Sequence, residues 1–269
     1  MTGDRGPSGE PGEADPVLYR QAGAVAVLTL NEPRTMNALS GPLKAALGAG
    51  IARAMAAPEV RCLLLTGAGK AFCAGGDLRA MSERAPAAVL ERLHTSYRWM
   101  RQLTHGDKPV LAAVNGVAAG AGLSLALMCD IVLASEQAVF RAGFSAVGAV
   151  ADLGIAYALP RAVGVAMARD LLLTGRSLTA AEALACGLVS RVAPHAALHE
   201  QALALAAELA AGPAALRLTR QLIRQGLESS AETFLVQEAL AQAAAFNTAD
   251  FAEGVAAFLE KRPPLFSGR

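Results

Sequence analysis

Excess charge of either sign is missing from this chain. Lys and Arg number 24 against 23 Asp and Glu, a formal net charge of +1, which excludes general affinity for nucleic acid or for anionic lipid. Cysteine is sparse too. Cys62, Cys73, Cys129 and Cys186 lie far apart, with no C-x-x-C pair among them. Neither a zinc site nor a disulfide framework is indicated, and reduced thiols are expected. His105, His195 and His199 have no ligand spacing, so no metal is implied. The chain does not open on a basic stretch followed by an apolar one, and a cytoplasmic protein is expected. It opens instead on "MTGDRGPSGEPGEADP", which is Gly, Pro and acid. Residues 1–16 cannot build a core and are expected to be a disordered tail.

What is abundant is apolar: 54% of 269 residues, inflated by alanine. That is enough for one large domain or two small ones. The run "VLAAVNGVAAGAGLSLALMC", Val110 to Cys129, is uncharged for twenty residues, about the length that spans a bilayer. A span would have to be a continuous helix. Asn115-Gly116 is instead a turn signal. "PVLAAV" before it reads as a buried strand, and "AGLSLALM" after it as a buried helix, so no membrane association is expected.

Further strand-like runs are "VAVLTLN" (25–31), "RCLLLTG" (61–67), "DIVLAS" (130–135) and "AVFRAG" (138–143). Helical patterns at 40–57 and 85–103 alternate with them, which argues for α/β layering with parallel strands. Beyond residue 195 the strands stop and four helical patterns follow. The division expected is a core over 17–195 and a helical region over 196–269. Thr179 with Glu182, and Ser229 with Glu232, have capping-box spacing. The apolar faces of the helical region exceed what a short annex needs to cover itself, which points to docking on a neighbouring subunit.

Three features are candidates for chemistry. "GAGKAFCAGGDL" (67–78) places Gly75-Gly76 between a strand and an expected helix, where backbone N–H groups can approach a ligand. The "AAGAGLS" turn (118–124) opens the buried helix, whose first N–H groups are unpaired. Donors from two such turns could converge on one oxygen as an oxyanion hole; the alternative is that both are tight turns required by packing. Neither has the spacing of a phosphate loop or a dinucleotide fingerprint. Asp152 is the only acid between Glu136 and Asp170, in apolar surroundings. Burial there would let it act as a base near neutral pH; alternatively, it caps the helix that follows.

"NEPRTMNAL", "AFCAGGDL", "KPVLAAVNGVAAGAGLSLALMCD", "LPRAVG", "LTGRSLTAAEALACGLVSRV" and "EGVAAFLEKRPPLF", in that order, resemble the crotonase superfamily of enoyl-CoA hydratases and isomerases. The resemblance implies a fold of stacked ββα turns forming a spiral core, followed by a C-terminal helical trimerisation region. It also implies acyl-CoA thioesters as substrates, a homotrimer or dimer of trimers, and no cofactor beyond the coenzyme A carried by the substrate. The family's two oxyanion donors fall on the amides of Gly76 and Ala121. Its CoA-binding segments fall on Arg34, Ala74, Asp77 and Leu78. Phe258 and Lys261 would approach the nucleotide end from a neighbouring subunit.

The hydratases of the family use two glutamates, where this chain is expected to have Ser124 and Phe144. Asp152 resembles in position the acid of the family's enoyl-CoA isomerases, including those of epoxyphenylacetyl-CoA metabolism. The implied reaction moves a C=C double bond in an enoyl-CoA, with Phe144, Val150 and Leu153 keeping the pocket dry. Three alternatives stand beside it. The first is a hydratase. The second is a hydrolase like the aroyl-CoA dehalogenases, with Asp152 as nucleophile and His94 beside the histidine position that Tyr97 occupies. The third is a CoA-binding oligomer without catalysis.

Overall fold

The computed structural model describes residues 15–269. Most of the expected N-terminal tail lies outside these residues. Asp15 and Pro16 do not: their carbonyl oxygens accept from the Asn31 side chain and main chain at 3.0 and 2.7 Å.

A hairpin of β1 (Val17–Ala22) and β2 (Val25–Leu30) leads into α1 (Gly41–Ala56). Then β3 (Cys62–Gly67) and β4 (Ala71–Cys73) precede α2 (Pro86–His105), and β5 (Val110–Val114) and β6 (Val117–Ala119) precede α3 (Ala121–Leu127). β7 (Ile131–Ser135) and β8 (Val139–Arg141) precede α4 (Ile155–Thr174), which bends at Gly164. β9 (Ser177–Thr179), α5 (Ala180–Ala185) and β10 (Arg191–Ala193) close this part, and α6 (Leu198–Ala211), α7 (Ala215–Gly226), α8 (Ala231–Phe246) and α9 (Ala249–Glu260) follow.

The pairs β3–β4, β5–β6 and β7–β8 each send their first strand to a six-stranded sheet, ordered β1-β2-β3-β5-β7-β10, and their second strand to a four-stranded sheet, β4-β6-β8-β9. Only β1 with β2 and β8 with β9 pair antiparallel. This is the stacked ββα arrangement expected. The long strands are continuous apolar runs because both faces are covered. Alternate residues serve different cores. Leu28, Leu63, Leu65 and Ala112 face α1, α2 and the small sheet; Val27, Cys62, Leu64, Leu111 and Leu133 face α6.

Leu198, Ala202, Leu205 and Ala206 of α6 pack on the large sheet, so the body expected to end at residue 195 includes this helix as a layer. α7 is tied to the body by Arg220. Its Nε donates to both Asp130 oxygens at 2.7 Å, and its terminal nitrogens to the carbonyls of Leu103 and Gly106. Ile223 on α7, Leu227 at its end, and Leu235, Val236 and Leu240 on α8 remain exposed.

The uncharged run from Val110 to Cys129 is β5, β6 and α3 with glycine turns between them. No single helix among the described residues is long and apolar enough to cross a membrane; α6 and α7 have the length together but meet at 103°. The Thr179–Glu182 capping box forms with both of its bonds. The Ser229–Glu232 pair does not: Ser230, one residue on, caps α8 by accepting from Thr233 N. Two adjacent serines precede that helix, and its path from α7 selects the second.

Candidate active site

The first glycine turn is held from below by the loop before α1. Met36 O accepts from Ala74 N at 2.9 Å, and Leu39 N donates to Gly75 O at 2.7 Å. The second bond fixes the peptide plane whose N–H belongs to Gly76, and that N–H has no hydrogen-bond partner among the described residues. Asn37 secures the loop itself. Fully buried, it donates from Nδ2 to Ala71 O at 2.8 Å and accepts from Glu32 N at 2.9 Å. Asn115 holds the turn between β3 and β4, donating to Gly69 O at 2.8 Å and accepting from Gly67 N at 3.2 Å. The expected helix after Gly75-Gly76 is only a short 3-10 turn, Leu78–Ala80.

The second turn is built by Gly120 and α3. Ser124 N donates to Gly120 O at 3.1 Å, which fixes the plane carrying the Ala121 N–H. As the first residue of α3, Ala121 leaves that N–H unpaired. The two turns are in contact. Gly75 has φ +106°, and a Cβ there would stand 2.9 Å from Ala119 O and 3.6 Å from Ala121 N. Gly122 is closer still to β4: a Cβ would lie 2.1 Å from Cys73 O. Glycine is needed at both places because backbone meets backbone there. The amides of Gly76 and Ala121 therefore share a wall of a cavity of about 660 Å³.

Asp152 lines the same cavity, on the segment between β8 and α4. It does not cap α4: Gly154 holds the cap position, and no side chain bonds there. Instead Leu153 and Gly154 take positive φ, +49° and +75°, a turn unusual for a leucine. Asp152 Oδ1 is buried without a hydrogen-bond partner. Burial pushes this carboxyl above the usual carboxylate range, while its own amide, Lys44 and Arg92 pull it back. Among the described residues it is the only carboxylate lining the cavity.

Of the other expected residues, Ala74, Leu78 and Phe144 line the cavity beside Gly76, Ala121 and Asp152. Asp77 instead caps the Leu78–Ala80 turn by accepting from Arg79 N at 3.1 Å. Arg34 is exposed on the 3-10 turn Pro33–Thr35, Phe258 is 83% exposed, and Lys261 is the left-handed residue that ends α9. A single chain brings none of these three to the cavity. Val150 lines the cavity but is 86% exposed in a single chain, so it stands at the rim; Leu153, 5% exposed, is enclosed. Tyr97 lines the cavity, but His94 is exposed and outside it. Sequence reasoning missed Lys44 and Arg92, which face the cavity from α1 and α2. The one available signal was that Lys44 is the only charge from Thr35 to Ala52.

The chain matches the family described as enoyl-CoA hydratase/isomerase over residues 20–269. It is 40% identical over 256 residues to a probable enoyl-CoA hydratase of Rhodobacter capsulatus, covering 94% of this chain and 98% of that protein. It is 40% identical over 260 residues to the 1,2-epoxyphenylacetyl-CoA isomerase of Escherichia coli, with the same coverage. The crystal structure of an enoyl-CoA hydratase from Bacillus anthracis superposes with a TM-score of 0.90 at 33% identity, over 94% of this chain and all of that one. These matches run through both amide-bearing turns and the Asp152 segment, and not through the scaffold alone; the chain belongs to the enoyl-CoA hydratase/isomerase family, of the crotonase superfamily, whose members act on acyl-CoA thioesters.

Proposed function

We propose that the protein is an enoyl-CoA isomerase, moving a C=C double bond along the acyl chain of its substrate. The observation that carries this reading is the single carboxylate, Asp152, lining the cavity whose wall holds the free amides of Gly76 and Ala121. With the thioester oxygen between the amides, Asp152 takes a proton from one carbon of the acyl chain. The electron pair moves onto the thioester, and the two fixed dipoles stabilise the resulting enolate oxygen. Asp152 then returns the proton to another carbon. The proton balance closes and no water is consumed.

Hydration would need a group to hold and activate water beside the one that handles the proton. Ser124 is fully buried with its hydroxyl on main-chain carbonyls, and Phe144 is apolar, so neither can supply it. Hydrolysis through an aspartyl ester needs a water activator as well, and no histidine among the described residues lines the cavity. A role limited to binding CoA leaves the unpartnered Asp152 Oδ1 without a use.

In this reading coenzyme A enters only as part of the substrate, and the enzyme works in the cytoplasm as a homotrimer or dimer of trimers. Assembly through the exposed apolar faces of α7 and α8 covers them, and lets Phe258 and Lys261 of a neighbouring subunit reach the nucleotide end, with Arg34 contributing to CoA binding. The test is a panel of 3-enoyl-CoA and 2-enoyl-CoA thioesters followed for bond migration and for water addition. Migration without hydration is expected; rapid hydration without migration overturns the reading.

A further inference from the structure

We propose that the acyl pocket is built for a chain ending in a carboxylate, received by Lys44 and Arg92, so that the preferred substrates are mono-CoA thioesters of dicarboxylic acids. This deepens the isomerase reading and rests on its seating of the thioester between the two amides.

Lys44 and Arg92 come from different helices, α1 and α2, and line one cavity. Neither side chain makes an ion pair or hydrogen bond among the described residues. Other partly buried cations of this protein are engaged. Lys108 donates to Ala54 O and Ala57 O, Arg61 to Gly212 O and Phe266 O, and Arg220 binds Asp130. Arg141, the third cation of the cavity, donates to Gly175 O at 2.9 Å. Two cations facing each other in a half-buried site repel unless an anion joins them. Burial lowers the Lys44 ammonium, Arg92 lowers it further, and Asp152 opposes both.

Asp152 cannot be that anion alone. It forms an ion pair with neither cation, it carries one charge against two, and it loses that charge when it holds the substrate proton. Lys44 and Arg92 line the same cavity as Asp152, and both act on its carboxyl; the proposed seating puts them with Asp152 beside the acyl chain and away from the coenzyme A phosphates. Tyr97, whose hydroxyl also has no hydrogen-bond partner among the described residues, lines the same cavity and can add a third donor. A neutral alkyl or aryl chain leaves all three donors unpaired, and a site with unsatisfied polar groups discriminates against such a ligand.

The test measures equilibrium binding of saturated thioesters to the full-length oligomer, with each acyl-CoA matched to its ω-carboxylated counterpart at four, six and eight carbons. At one or more lengths the carboxylated thioester should bind about tenfold to a hundredfold tighter, the size expected for close charge pairs. Lys44→Met and Arg92→Met should each cut that preference about tenfold, and Lys44→Arg should keep it. Equal affinities at every length overturn the proposal. So does a loss that is the same for both members of a pair and for free CoA, which would place the cations on the phosphates. Saturated thioesters cannot isomerise, so this result is independent of whether the double bond moves.

Discussion

The hydroxyl of Ser124 donates to the main-chain oxygen of Asp152 at 3.1 Å, while its amide donates to Gly120 O at 3.1 Å. One buried serine thus ties the plane of the Ala121 amide to the segment that carries the carboxylate. Ser124→Ala should reduce kcat about tenfold with little change in KM, because it loosens the spacing between base and oxyanion donor and removes no substrate contact. It should also cost about 1 kcal/mol of stability. Steady-state kinetics and urea unfolding of the same preparation check both.

Asp152→Asn should abolish double-bond migration, by about a factor of 10³ as for loss of a general base, and keep acyl-CoA binding. It should also raise the melting temperature at neutral pH. The folded carboxyl is held above its unfolded value, so the stability it contributes is present at low pH and is lost as pH rises through that window. Asn removes that loss. Calorimetry at pH 7.5 reads the sign, and a lower melting temperature would contradict it.

The rate should fall on the acid side as Asp152 takes up a proton, with the limb displaced upward from the usual carboxylate value because burial raises this group. Lys44 acts against that rise. Lys44→Met should therefore move the limb to still higher pH. A pH profile of kcat/KM for a neutral enoyl-CoA, wild type against variant, gives the direction; a shift to lower pH would be the wrong sign.

Gly75→Ala should lower kcat by about 10²-fold, as loss of one oxyanion donor does. The new Cβ would meet Ala119 O at 2.9 Å on a backbone with φ +106°, so the turn must rotate and carry the Gly76 amide with it. A crystal structure of the variant would show the displaced peptide; unchanged kcat would mean that this amide does not serve the reaction.

Much of this molecule is readable in one dimension. The runs "VAVLTL", "CLLLTG" and "VLAAV" are almost continuously apolar because both faces of the large sheet are covered, and their shortness between turn signals reads as strand. The two glycine turns and the isolated Asp152 stood out for a similar local reason, since glycine pairs and a lone acid interrupt the pattern around them. Less was visible where elements are three residues long, as in β4, β6 and β9, because periodicity needs more length than that. Asn37 looked like part of a motif; three of its four bonds reach carbonyls more than thirty residues away, and only the fold brings those to it.

Sequence alone determined the layered α/β body, the break of the uncharged run 110–129 into strand, turn and helix, and the identity of the one acid in an apolar stretch, because each is a property of neighbours along the chain. Tertiary structure decided that α6 is a layer of the body, that Val150 stands at the rim, and that Lys44 and Arg92 face the same cavity. Those are relations between segments far apart along the chain, and only the packing of α1, α2 and α6 around the sheets sets which side of each helix meets the pocket and which meets water.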